Sequence, residues 1–96
     1  MTYAEYERAA AALRKRPGAT EEFVAKCLSL MVPEFKESDL VGTSFSNRNA
    51  MARDICQRFL NVFLDGRLTL GEVNHYHESF PFKLVEEAER RQPRFP

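Results

Sequence analysis

The stretch NVFLDGRLTLGEVNHYHE, residues 61 to 78, brings together the carboxylates Asp65 and Glu72, the imidazoles of His75 and His77, and an Asp65-Gly66 pair. Carboxylates and imidazoles at short spacing are what a metal centre or an acid–base pair requires. The spacing decides against a shared ion at the histidines. His75 and His77 lie two apart, which on a helix turns them about 200 degrees from each other, so both read as surface or interface groups. Elsewhere, Thr43, Ser44 and Ser46 sit near Gly42 with no Gly-x-Ser-x-Gly turn to expose a nucleophile. The four glycines are not grouped as a phosphate-cradling loop would need. The sequence therefore predicts no catalytic residue, no metal, no cofactor and no enzyme.

Aligned on Gly66, the same stretch resembles the calcium loop of EF-hand proteins, with Asn61 as first ligand, Asp65 as fifth and Glu72 as the bidentate twelfth. The resemblance fails at the third position, where Phe63 offers no oxygen to a hard cation. Glu72 and His75, three apart, match the Glu-x-x-His spacing of carboxylate-bridged di-iron bundles, but those need a second such pair and two further Glu on partner helices. A symmetric dimer would supply the second pair, which leaves a carboxylate and histidine metal-binding helical protein as a remote third reading, but a corner between two helices accounts for the residues without an ion. Asp65-Gly66 ends one helix, and Thr69 with Glu72 forms a capping box that opens the next.

The elements on either side follow from similar punctuation. Thr2 with Glu5 is a capping box, and Tyr3, Tyr6, Ala9, Ala10 and Leu13 recur at helical spacing to about Lys15. Pro17 and Gly18 break the pattern. Thr20 is expected to cap a second helix whose apolar face, Phe23, Val24, Cys27, Leu28, Leu30 and Met31, runs to Pro33. Residues 33 to about 46 form an irregular connector, with one short turn near Ser38 to Leu40 and enough apolar groups to lie over the core. Ser46 is expected to cap a long central helix over about 47–64, ended by Gly66. A fourth helix is expected over about Leu70 to Ser79. A fifth opens at Pro81 and runs to about Gln92, braced by Glu86–Arg90 and Glu87–Arg91 pairs. The reading is a compact all-α bundle of about five helices, a single domain over 1–96 with a frayed tail at 93–96.

Composition narrows the function classes. Fourteen Lys and Arg balance fourteen Asp and Glu, so the chain lacks the overall positive field that holds proteins to phosphate backbones. No apolar run approaches the ~20 residues of a membrane span, and the first residues lack the order of a secretion signal, so a cytoplasmic location is expected. Cys27 and Cys56 read as two small buried hydrophobes, with a disulfide as the minority alternative.

Partner binding is the expected activity. On a helical wheel the long helix spreads Met51, Ala52, Ile55, Cys56, Phe59, Leu60, Val62, Phe63 and Leu64 over roughly 200 degrees, wider than a surface helix needs. We therefore expect part of that arc, at Leu60 and Leu64, to be covered by another chain in a symmetric homodimer, so that Leu60→Asp or Leu64→Asp gives a folded monomer. Tyr76, Phe80 and Phe82 crowd the corner around Pro81 and are candidate aromatic anchors. The expected role is a small regulator or inhibitor that holds or blocks a larger protein, of the type bacteria and phages use. The second-ranked partner is DNA, read by Arg48, Arg53 and Arg58 on the polar side of the long helix.

Overall fold

The computed structural model describes residues 1–75 and 82–95. Among them five α-helices follow one another: α1 Tyr3–Lys15, α2 Ala19–Met31, α3 Arg48–Leu64, α4 Leu70–His75 and α5 Phe82–Glu89. Short 3-10 turns at Val32–Glu34 and Glu37–Leu40 interrupt the connector between α2 and α3. The architecture is all-α, as the periodicity implies, with α3 as the long central helix. The expected continuation of α4 to Ser79 and the opening of α5 at Pro81 lie outside the described residues.

Both capping boxes form. The Thr2 hydroxyl accepts from the Glu5 N–H at 3.2 Å while the Glu5 carboxylate accepts from the Thr2 N–H at 3.0 Å. Thr69 and Glu72 repeat the exchange at 3.1 and 2.9 Å. Two other starts differ by one or two residues from expectation. Gly18, at φ 78°, is the N-cap of α2 in place of Thr20, because the chain must reverse directly after Pro17 and glycine alone enters that region freely. Asn47, not Ser46, caps α3, its side-chain oxygen accepting from the Ala50 N–H at 2.8 Å.

The core forms around α3. Met51, Ala52, Ile55, Cys56, Phe59, Leu60 and Val62 are all buried, and Tyr6 of α1, Val24, Cys27 and Met31 of α2, and Leu84, Val85 and Ala88 of α5 cover them. Phe23 stacks on Phe59 and Phe63 at 6.2 Å between ring centroids. Most of the wide apolar arc of α3, Leu60 included, is thus enclosed by its own chain, which corrects the expectation that Leu60 is left for a neighbour to cover, while Phe63 and Leu64 stay half-buried. Helices on several sides wrap an arc that one flat layer could not.

The cysteines also depart from expectation. Cys27 of α2 and Cys56 of α3 are joined in a disulfide, with Cα atoms 5.9 Å apart. Both are buried, as expected, but α2 and α3 lie side by side with the two positions at one level. The cross-link closes a loop that contains the whole connector.

The tail is likewise anchored through Phe95 and not frayed. The Arg94 and Phe95 N–H groups both donate to the Asp65 carbonyl, at 2.9 and 3.1 Å, and the Arg94 guanidinium donates to the Leu68 carbonyl at 2.9 Å. The Phe95 ring meets Tyr6 edge-on at 4.9 Å and lies over Gly66, where a Cβ would sit 2.9 Å from it. A helix end with spare carbonyls and a glycine with no side chain supplied the slot.

Candidate functional site

The corner after α3 is closed by backbone hydrogen bonds. The Gly66 N–H donates to the Phe63 carbonyl at 3.1 Å and the Arg67 N–H to the Val62 carbonyl at 3.0 Å, with Gly66 at φ 70°. This is the Schellman ending, which reverses the chain while satisfying the last helical carbonyls. The Arg14 guanidinium takes the Leu64 carbonyl at 3.1 Å, and the tail takes that of Asp65. Asp65 itself pairs with Arg14 at 3.2 Å and Arg67 at 3.3 Å.

Glu72 is equally committed. Arg91 grips it with two donors at 2.6 and 3.0 Å, and that contact, with the Thr69 cap, holds the Glu72 carboxyl below its ordinary value of 4.5. Arg91 crosses from the end of α5 to do this, where a bridge to Glu87 within its own helix was expected. Its second task is the Arg67 carbonyl at 3.0 Å. Among the described residues no cluster of three His, Cys, Asp or Glu stands ready for a metal. His75 is exposed at the end of α4, and His77 lies outside the described residues.

The arginines expected to read DNA are scattered. Arg58 donates to Glu89 at 2.6 and 3.1 Å and to Asp54 at 3.4 Å, and its hydrogen bonds to Glu89 raise its pKa while lowering that of Glu89. Arg48 donates to the Phe35 carbonyl at 3.1 Å and pairs with Glu37 at 3.3 Å, tying the connector down. Of these three, only Arg53 is exposed and makes no ion pair among the described residues. The expected stripe of three free cations is absent because two are used to fasten other segments.

Of the candidate aromatic anchors, Tyr76 and Phe80 lie outside the described residues. Phe82 is partly buried against the core and meets Phe35 at 6.4 Å, so it joins α5 to the connector and is not a free anchor.

The concave surface that remains runs between α2 and α3. Val24, Leu28, Leu60 and Leu64 make its floor, with Thr20, Glu21 and Ala25 along the α2 side and Arg53 and Gln57 along the α3 side; its volume is about 300 Å³. Leu60 is 1% exposed, so it supports the groove from below, whereas Leu64 is half-buried at one end. A second hollow of about 110 Å³ lies on the far side of Leu64, against Ala10, Ala11 and Phe95. Sequence reasoning placed Leu60 and Leu64 here but missed the α2 wall. The signal was available: Glu21, Ala25 and Leu28 follow at helical spacing beside Val24, a seam between the apolar and polar faces of α2.

Comparison of the chain with protein-family models, with curated proteins and with solved structures finds no match.

Proposed function

We propose that this protein is a binding module whose α2/α3 groove receives a helical face of another protein chain, acting as a regulator or inhibitor by occupying its partner. The observation that carries the reading is the groove's make-up: an aliphatic floor bounded by exposed polar side chains, the layout of a protein contact with a dry centre and a wet rim. A small-molecule pocket is usually marked by polar groups converging from its depth, and the polar groups here stand on the rim. Of the ionisable groups displaced from their ordinary values, Glu72, Glu89, Arg58 and Arg91 sit in ion pairs, Glu5 in a helix cap and Tyr6 in the core, and none lines the groove. That favours contact over reaction chemistry.

The test is retention of a partner from a lysate of the source cells by immobilised protein. Ala25→Arg, at an exposed rim position, places a long charged side chain across the groove without touching the core. Retention by the wild type that is lost with Ala25→Arg supports the reading, and retention indifferent to it overturns the groove. Retardation of random duplex DNA at micromolar protein and low salt, removed by Arg53→Glu, would put the nucleic-acid reading first.

Location enters through the cross-link. Among the described residues no helix is long and apolar enough to cross a membrane. A Cys27–Cys56 disulfide persists most readily in an oxidising compartment, and this weighs against the cytoplasmic expectation. Alkylating free thiols at the moment of lysis decides it. Complete labelling of both cysteines places the chain in a reducing compartment.

A further inference from the structure

We propose that the groove takes a second copy of this chain, docked antiparallel about a twofold axis near Gln57. The proposal rests on reading the groove as a protein-binding surface and names its occupant. The argument begins with direction. Cys27 bonded to Cys56 and Phe23 stacked on Phe59 and Phe63 show that α2 and α3 run antiparallel. Glu21 therefore lies toward the end of the groove marked by Leu64, and Arg53 toward the other, roughly 13 Å apart at the helical rise.

Charge selects the occupant. Both Glu21 and Arg53 are exposed, and neither makes an ion pair among the described residues; Glu21 has only the Thr20 hydroxyl at 3.4 Å. They are also the two charged side chains that line the groove. A groove with one unmatched anion and one unmatched cation at its opposite ends is complementary to itself when turned through a half circle. Glu21 of each copy then faces Arg53 of the other, and the pair forms twice.

Shape agrees. Arg53, Gln57 and Asn61 are exposed at successive i,i+4 positions, a ridge of α3 that borders the groove. Ridges at this spacing seat in the groove of a like helix. With the axis near Gln57, the ridge of each copy enters the groove of the other. A contact confined to this groove belongs with the small, weak class of interfaces, which sets the concentration range of the test.

Sedimentation equilibrium of the full chain, from micromolar to near-millimolar concentration, tests it. The wild type should pass from monomer to dimer over this range. Glu21→Arg and Arg53→Glu should each weaken association by about tenfold or more, and the double exchange should restore it to within about threefold. Both positions are exposed, and unchanged helical circular dichroism verifies that the variants fold. A wild type that stays monomeric throughout overturns the proposal, as does a dimer indifferent to the single reversals or not restored by the double exchange. If the wild type is monomeric while Ala25→Arg still abolishes capture of another protein, the self-association fails and the groove reading stands.

Discussion

Gly66 shows how much one missing methyl group can carry. It holds φ at 70° to end α3, and the face it leaves bare is where the Phe95 ring rests. Gly66→Ala should cost about 2 kcal/mol, from the left-handed backbone together with displacement of the ring, read as a lower urea midpoint. Leu60→Asp, expected from the sequence to give a folded monomer, should instead unfold the chain. A charge placed at a side chain 1% exposed, with no partner, costs upwards of about 3 kcal/mol, and loss of the helical signal is the readout. The Glu72–Arg91 pair sets an acid limit. Glu72 and Glu89 hold their protons less tightly when folded than the ordinary 4.5. Their contribution is therefore complete above that pH and is lost as pH falls through the lower folded values. Urea midpoints should stay level from pH 7 to about 5 and drop below about 4.5. Arg91→Met should remove about 2 kcal/mol at pH 7 and much less at pH 3. The capping boxes were legible at this scale because both partners lie within one turn of chain. The Arg91–Glu72 clasp was not, since nothing local distinguishes a cation aimed along its own helix from one aimed across a corner.

Among the elements, the helices were legible and their pairing was not. Periodicity placed α1, α2 and α3 to within a residue or two, since a 3.6-residue repeat is a property of one segment. Which helix covers which face depends on all of them together. For that reason the width of the α3 arc was readable while its enclosure by α1, α2 and α5 was not, and Cys27 and Cys56 looked like two unrelated apolar positions. The Cys27–Cys56 cross-link spans a sequence separation of 29. Replacing both cysteines by alanine should lower stability by about 3 to 4 kcal/mol through the greater freedom of the unfolded chain. Denaturation with and without reductant measures the same difference in the wild type, and equal midpoints would remove the cross-link from the account of stability. The candidate site was half legible for a like reason. Leu60 and Leu64 were found from one helix, but a groove is a property of two.

At the scale of the whole molecule the connector between α2 and α3 stands apart from the rest. Phe35 and Arg48 fasten its beginning to the core, yet Val41 is 82% exposed beside Gly42, far from the covered position its apolar character suggested. A protease of broad specificity should cut there first, ahead of any helix. The cysteines bracket that point on either side. One nick near Val41 should therefore leave two fragments that migrate as one band on a gel without reductant, as two with it, and that keep their helical signal until the thiols are freed. Scission there adds a pair of chain ends and subtracts nothing from the particle, which can be opened into a two-chain form, as some hormones and toxins are, with its architecture still in place.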